Sequence, residues 1–177
     1  MSAPLDDWLP QHNIRLRHAR VARASPDDLW QAAVELRISD TPTMRRLIGW
    51  RLGPHTPSAD TTYRELFRSG VFTLLEEGER FSVSGLAGRI WTPSGDYANF
   101  ETPADYREYA VPGTAKVAVM TAVREHDRGS EIVSESRVRV HGRRTRVVFR
   151  GFWAFIRPFS RFVPTEVLAA AVRRAEA

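Results

Sequence analysis

The sequence predicts an α+β fold in which a curved antiparallel sheet wraps around a long C-terminal helix, with two short helices after the first strand. Two features of the hydrophobic pattern predict it. Between residues 71 and 140, short alternating segments follow one another at hairpin spacing, which is typical of an antiparallel meander. From residue 143 onward, apolar residues recur at three- and four-residue steps, which indicates helix. A single sheet of this length must cover its apolar face, and the C-terminal helix is the only element large enough to do so.

The first half of the chain supplies one strand ahead of the two short helices. Residues 1–13 form a short polar lead, which we expect to be weakly ordered, and residues 14–177 form a single domain. Residues 14–24 alternate in polarity along the chain, as a half-buried strand does.

Two helix starts follow this strand. Ser25-Pro26-Asp27-Asp28 begins the first helix, because Ser caps a helix, Pro fits the first helical position and acids stabilise the first turn. Thr41-Pro42 repeats the signal for a second short helix that ends at Gly53. Residues 53–62 then form a loop.

Six further strands are predicted after residue 70. They cover 71–77, 80–84, 89–92, 97–101, 116–125 and 131–140. Most of them end at Gly or Pro turns, as in hairpins. The helix after Gly142 is predicted in two parts, because Pro158 should break or kink it, and its second part covers 164–175.

The net charge of +5 invites a nucleic-acid interpretation, but the distribution of the charge argues against it. Lys116 is the only lysine among 26 basic residues, and the arginines are spread from Arg15 to Arg174. The one dense group, within residues 143–150, opens a helix, where a solvated basic face is the ordinary explanation. We therefore expect no nucleic-acid partner.

Several kinds of chemistry lack the residues they require. The chain has no cysteine, which excludes disulfides and thiol catalysis, and its five histidines never stand at metal-ligand spacing. Gly85-Leu-Ala-Gly88 is too short for a phosphate-binding loop, and no Gly-x-Ser-x-Gly occurs. The start has no signal-peptide pattern, and no run of eighteen apolar residues is present. We expect a cytoplasmic protein without a catalytic residue, a metal or a cofactor.

Four segments resemble sequences of bacterial SRPBCC proteins, the superfamily that includes START, pollen-allergen-like and polyketide-cyclase-like helix-grip members. The segments are similar to a Gly-x-x-Gly-x-x-Trp turn, a Pro-Gly-x-Ala-Lys strand start, a Thr-Glu-Thr-Arg-Val strand and a Tyr-Trp-x-x-Ile-x-Pro-x-Ser helix. They are Gly85–Trp91, Pro112–Ala118, Ser134–Val138 and Phe149–Ser160.

The resemblance implies a helix-grip fold with a deep, mostly apolar cavity between sheet and helix. Superfamily members carry lipids, sterols or polyketides in this cavity, and some catalyse cyclisation or hydrolysis. The chain departs from the pattern at two places. Ser134-Glu135-Ser136 replaces Thr-Glu-Thr and keeps the hydroxyls, whereas Phe152 stands where relatives often have Tyr and removes a phenol.

Strand parity selects the side chains that could face such a cavity. In 131–140, Ile132, Ser134, Ser136 and Val138 share the less charged face, which should point inward. The same reasoning in other strands, together with four bulky aromatic residues that either border the cavity or plug it, gives the candidate ligand-binding residues. They are Phe81, Val83, Trp91, Phe100, Val119, Thr121, Ser134, Ser136, Phe149 and Trp153. The hydroxyls among them could orient an apolar ligand, or they could simply bond to one another in a filled core.

Three other groups have an ordinary and a functional interpretation. Glu135 with Arg137 could be a tuned acid, but parity turns both away from the cavity and favours an outer-face ion pair of little energetic weight. His18 lies on the inward parity of the first strand, where a core histidine is the simpler explanation. Lys116 has nothing else that supports a Schiff base.

Aromatic residues surround the C-terminal helix instead of following one stripe. With Arg157 and Arg161 they could form a contact surface for a membrane or a partner, but a grip closed on several sides is the preferred explanation. The aromatics are Phe152, Trp153, Phe155, Phe159 and Phe162.

The sequence leaves three functions open. The first is binding of a hydrophobic small molecule, such as a lipid or a polyketide, in the cavity. The second is an enzyme of the cyclase or dehydratase kind that uses pocket hydroxyls and His18. The third is an interaction module whose interior is filled by its own side chains. Peripheral membrane contact stays open, and the sequence does not define the oligomeric state.

Overall fold

The computed structural model describes residues 5–52, 56–68, 70–92 and 96–177. The predicted helix end at Gly53 and the first part of the predicted loop 53–62 lie outside these ranges. Six strands and six α-helices lie within them, with one 3-10 turn at Ile38–Asp40. The helices are α1 (Leu5–Trp8), α2 (Pro26–Val34), α3 (Pro42–Leu52), α4 (Tyr63–Leu66), α5 (Pro103–Glu108) and α6 (Arg143–Ala175). The strands are β1 (Ile14–Ala22), β2 (Thr73–Gly78), β3 (Phe81–Arg89), β4 (Asp96–Tyr97), β5 (Ala115–His126) and β6 (Gly129–Val140).

The strands form one antiparallel sheet in the order β1-β6-β5-β3-β2, and the short β4 pairs with β3. β5 and β6 form a long hairpin, in which Ala115 lies opposite Val140 and His126 opposite Gly129. β1, far away in sequence, pairs with β6 along its whole length. The long helix α6 packs against β1, β6, α2 and α3. This arrangement confirms the predicted α+β helix-grip fold.

Helix α2 anchors the C-terminal half of α6. The backbone N–H of Asp28 donates to the Ser25 hydroxyl at 3.2 Å, so Ser25 is the N-cap that the sequence predicts. The buried face of α2 packs with the inner side of the sheet and with α6. This cluster contains Leu29, Trp30, Ala33, Val34, Val123, Ile132, Leu168 and Ala171.

α6 is continuous for 33 residues and contains both Pro158 and Pro164. The prediction of two helical parts is therefore wrong. Each proline removes one backbone donor, but apolar side chains on both sides of the two prolines are buried, including Phe149 and Leu168. Tertiary packing of this kind, more than helix propensity, stabilises a helix in a folded protein. No helix in the described part of the chain is long and apolar enough to cross a membrane.

The second face of the sheet, turned away from α6, is also covered. α1 and α5, with the segment before α5, bury a separate core against it: Leu5, Trp8, Leu9, Leu75, Val83, Ala87, Phe100, Tyr106, Ala118 and Met120. Hence α6 is not the only element that covers the sheet. The expectation of a weakly ordered lead is also wrong for residues 5–9, because three of their side chains lie in this core.

Tyr106 explains how α5 approaches the sheet so closely. Its ring lies over Gly85, where an added Cβ would be 2.5 Å from a ring carbon, and its hydroxyl donates to the Val117 carbonyl at 2.8 Å. Gly85 is therefore required by close packing.

Two strand predictions differ from the structure. The sequence predicts separate strands at 80–84 and 89–92, but β3 runs through Phe81–Arg89 without interruption. Of 97–101 only Tyr97 is in a strand, and α5 follows at Pro103. The signal for α5 is a capping box, in which the Thr102 and Asp105 side chains accept from each other's backbone N–H.

Candidate functional site

A cavity of about 340 Å³ lies between the inner face of the sheet and the middle of α6. Three walls border it, and it opens to solvent. The sheet contributes one wall, α6 the second, and α3, α4 and the segment before β2 the third. Most of the lining side chains are aliphatic or aromatic, with hydroxyls as the polar groups.

The sheet wall follows from cross-strand register. Val119 lies opposite Ser136, and Val117 lies opposite Val138, so these side chains share one face of the antiparallel hairpin. Leu16 of β1, which is also opposite Ser136, extends the same face. All five residues line the cavity. The charged residues of β6 occupy the alternate positions, so their side chains point to the other face of the sheet.

The helix wall follows from the three- and four-residue repeat in α6. Phe149, Phe152, Trp153, Ile156 and Ser160 lie on one side of the helix and line the cavity. Phe149 contacts Phe152 at a ring-centroid distance of 5.7 Å and stacks on Trp153 at 6.3 Å. These bulky rings leave the interior open.

The third wall is held against α6 by a carboxylate. Glu166 of α6 accepts from the backbone N–H of Thr43 at 3.2 Å and from that of Met44 at 2.9 Å. N–H groups in the first turn of a helix have no acceptor within that helix, so Glu166 acts as an N-terminal cap of α3 supplied by a distant helix. Met44 and Leu47 of α3 then line the cavity.

Three hydroxyl groups meet on the inner wall. The Tyr63 phenol oxygen lies 3.5 Å from the Thr121 hydroxyl, and Thr121 is paired across the hairpin with Ser134. Burial raises the pKa of Tyr63, although hydrogen bonds from Thr121 and Ser134 oppose that change. The phenol is therefore protonated at neutral pH and can donate a hydrogen bond. Tyr63 and Ser134 line the main cavity, and Tyr63 and Thr121 line an adjacent void of about 10 Å³.

Five of the predicted ligand-binding residues line the cavity: Val119, Ser134, Ser136, Phe149 and Trp153. Two others are not among the residues that line it. Thr121 faces the small adjacent void, and Trp91 packs edge-on against Phe149 at 5.7 Å.

Phe81, Val83 and Phe100 belong to the core on the opposite face of the sheet. Their prediction as cavity residues is wrong. The physical reason is that both faces of β3 are buried, so apolar character does not mark the inner face there. The register places Ser84 opposite Val119 and Leu86 opposite Val117, and hence these alternate residues point inward.

Sequence reasoning missed the third wall. It includes Tyr63, Leu66, Phe67, Val71 and Phe72. Thr62 and Glu65 form a capping box that starts α4, which is a readable helix signal. However, no local pattern could show that this single turn faces Thr121.

Glu135 and Arg137 point away from the cavity, as parity predicts, but they are not a surface pair. Both side chains are almost fully buried beneath the N-terminal segment. Arg15 donates to Glu135 from two nitrogens at 2.8 and 2.9 Å, and Arg137 donates from Nε at 2.9 Å. Burial opposes the charge of Glu135, but the two guanidinium groups outweigh it and hold the pKa of that carboxyl below its usual range. Arg137 also donates to Asp6 at 2.7 Å, which ties α1 to the sheet.

His18 and Lys116 stand outside the cavity wall. His18 lies opposite Ser134, and burial, followed by the charge of Arg161, lowers the pKa of its imidazole. Lys116 is buried on the opposite face of the sheet and donates to the Arg107 carbonyl at 2.9 Å. Burial, with the charges of Arg139 and Arg107, lowers the pKa of Lys116 to about 8.

The cavity offers hydrogen bonds without charge. Its described lining residues include serines and tyrosines but no carboxylate, imidazole or amine. The acidic and histidine residues in the described ranges form no group of three that could hold a metal ion. The arrangement suits a mostly apolar molecule with a few polar atoms.

The fold and the cavity together define a helix-grip domain with an open apolar cavity between the sheet and α6. Neither protein-family models nor curated proteins give a match to the chain. Among solved structures, protein CV1439 from Chromobacterium violaceum is 10% identical with a TM-score of 0.32, and the match covers 92% of this chain and 98% of that one. Ara h 8.0201 is 12% identical with a TM-score of 0.29, and the match covers 92% and 97%. Because both scores are low, the fold is assigned from the strand order and helix packing.

Proposed function

We propose that this chain binds a hydrophobic small molecule, of the lipid or polyketide kind, in the cavity between the sheet and α6. The observation that carries the proposal is the cavity of about 340 Å³ with its nearly continuous apolar lining. Ligand pockets of proteins begin at about 300 Å³ and are lined mainly by apolar and aromatic side chains.

The size of the cavity restricts the ligand. An apolar cavity of roughly 150 Å³ holds one benzene molecule, so this chamber suits a molecule of about two such rings or an acyl chain of medium length. The absence of charged groups among its described lining residues disfavours a carboxylate or phosphate buried at full charge. Such a group would have to stay at the opening.

The hydroxyl cluster gives the ligand a direction. Tyr63 can donate, and Ser134 and Ser136 can donate or accept, from one side of the chamber. A ligand carbonyl or hydroxyl placed there would replace the weak contact of 3.5 Å between Tyr63 and Thr121 by shorter hydrogen bonds.

The two other functions have less support. A filled interaction module is disfavoured because bulky side chains such as Phe149 and Trp153 surround a chamber and leave it open. An enzyme of the cyclase or dehydratase kind needs an acid or base in contact with the substrate, and His18, its proposed base, is not among the lining residues.

Native mass spectrometry of the purified protein, followed by organic extraction, tests the proposal. We expect a stoichiometric apolar molecule bound to the protein, or, after delipidation, binding of one molecule from a panel of fatty acids and polycyclic aromatic compounds. The complex should persist in high salt, because the described lining residues carry no charge.

A protein that is bare as isolated and binds no member of this panel contradicts the proposal and favours the interaction module. A substrate-like compound that is converted into a product favours the enzyme.

A further inference from the structure

The outer side of α6 exposes large apolar side chains. Val148, Phe155 and Phe162 are seven residues apart, so they lie nearly in line along about 21 Å of the helix. Their exposed fractions are 58%, 59% and 64%, and Val147 beside them is 69% exposed. We call these four residues the α6 outer stripe. The expectation that the grip covers this helix on several sides is wrong for the stripe.

Arginines accompany the stripe without acidic partners. Arg150, Arg157 and Arg161 are exposed and follow one another at seven- and four-residue steps along the other edge of the exposed face of α6, and Arg144 lies near the beginning of the stripe. Within the described residues none of these four forms an ion pair. Between residues 143 and 165 the sequence contains no aspartate or glutamate.

We propose that α6 docks the protein on the surface of an anionic phospholipid bilayer through this stripe and its arginines. The phenylalanines and valines enter the boundary of the acyl chains, and the guanidinium groups pair with lipid phosphates. Exposed apolar bulk beside basic residues on one helix is the pattern of an interfacial helix.

Two other partners fit the surface less well. A second copy of this chain docked about a two-fold axis would bring two arginine rows together with no acid between residues 143 and 165 of either helix. A nucleic acid docked on the stripe would place its phosphates against exposed phenylalanines. Binding of a phosphate backbone requires basic residues at those positions.

The stripe adjoins the cavity. Phe152 and Ile156 lie next to the stripe on the surface of α6, and both line the cavity. A helix docked through the stripe would therefore hold the cavity close to the lipid. The docking surface itself does not depend on any ligand in the cavity.

Sedimentation with vesicles tests this proposal on the full chain. We expect binding to phosphatidylcholine vesicles that contain phosphatidylserine and little binding to pure phosphatidylcholine. The double variant Phe155→Gln/Phe162→Gln should lower the partition coefficient at least about tenfold, because two buried aromatic side chains are lost. Arg150→Gln/Arg157→Gln should lower it about twenty-fivefold on anionic vesicles, since each cation contributes about a factor of five.

Matched variants separate docking from folding. Phe155→Leu/Phe162→Leu keeps apolar bulk, Arg150→Lys/Arg157→Lys keeps charge, and Arg128→Gln changes an exposed arginine in the β5–β6 turn. All three should bind nearly as the parent does. All variants change exposed residues, so their thermal unfolding should match the parent.

Three results would overturn the proposal. The first is that the protein does not sediment with anionic vesicles, and the second is that the Gln variants bind them as fully as the parent does. The third is that the parent does not bind vesicles but self-associates or binds an oligonucleotide, and that the Gln variants lose this binding. Each of them leaves the cavity proposal intact, because the assay uses delipidated protein.

Discussion

The phenol oxygen of Tyr63 lies 3.5 Å from the hydroxyl oxygen of Thr121, although 58 residues separate them. Tyr63 begins the single turn of α4, and Thr121 lies on the inner face of β5. The contact therefore brings the third wall of the cavity against the sheet. It also places a protonated phenol among hydroxyls in an otherwise apolar chamber, which gives a polar ligand atom one defined position.

Removing the Tyr63 hydroxyl should change ligand preference more than stability. We expect Tyr63→Phe to weaken the binding of a ligand that carries a carbonyl or hydroxyl by about threefold to tenfold, because one hydrogen bond to the ligand is lost. The affinity for a hydrocarbon of the same size should not change. Competition against a fluorescent apolar probe measures both affinities, and an equal loss for both ligands would contradict the role of the hydroxyl.

Glu135 should contribute strongly to the stability of the fold, although it does not line the cavity. Glu135→Gln leaves Arg15 and Arg137 without their shared carboxylate, and we expect a loss of about 3–5 kcal/mol in the free energy of unfolding. Asp60→Asn removes an exposed partner of Arg37 and should cost less than about 1 kcal/mol. Urea denaturation measures both values, and equal effects would show that burial of the Glu135 pair has no special weight.

The lowered pKa of Glu135 predicts that acid destabilises the folded protein. The folded state lowers the pKa of Glu135, so its contribution is present above the unfolded pKa of about 4.3 and is lost as pH falls through the folded value. The wild type should lose stability below about pH 4 more steeply than Glu135→Gln does. Denaturation midpoints at several pH values give the two slopes, and parallel slopes would contradict the prediction.

Lys116 should make the stability of the protein depend on pH in the alkaline range. Its pKa in the folded state is about 8, below the unfolded value of about 10.4, so the unfolded chain binds more protons between these values. Stability should therefore rise with pH from about 8 to 10. Lys116→Met should flatten this rise, which denaturation midpoints across this pH range measure. A variant that keeps the same slope would show that another group titrates there.

Trp8 tests whether the N-terminal segment is part of the core. Its side chain is 7% exposed, its indole N–H donates to Glu76 at 2.7 Å, and the Arg107 guanidinium lies over its ring. Trp8→Ala should cost about 3–5 kcal/mol, as for a buried aromatic residue elsewhere. Gln11→Ala, at an exposed position of the same segment, should cost less than about 0.5 kcal/mol. Similar costs at both positions would mean that the segment contributes little.

The sequence is most informative where polarity alternates strongly. In β6 the charged set that contains Glu135, Arg137 and Arg139 differs from the set that contains Ser134 and Ser136, and this contrast identifies the inner face correctly. The period of α6 likewise places Phe149 and Trp153 on the cavity side. Local patterns therefore predict most of two walls.

The remaining errors share a physical cause. β3 is buried on both faces, so its small and apolar residues give no parity signal, and the sequence places Val83 on the wrong side. The buried state of Trp8 and the position of Tyr63 depend on contacts with residues 68 and 58 positions away. Such contacts arise from tertiary packing, which no short window contains.

Filling the cavity tests the central claim most directly. Val119→Trp places a large ring inside the chamber, whereas Val83→Ala weakens the core on the opposite face and leaves the chamber unchanged. Binding of the best apolar ligand is measured for both variants by isothermal titration calorimetry, with folding verified by circular dichroism. We predict that folded Val119→Trp loses at least about tenfold in affinity and that Val83→Ala, though less stable, binds as the parent does. Undiminished binding by folded Val119→Trp would contradict the assignment of this cavity as the binding site.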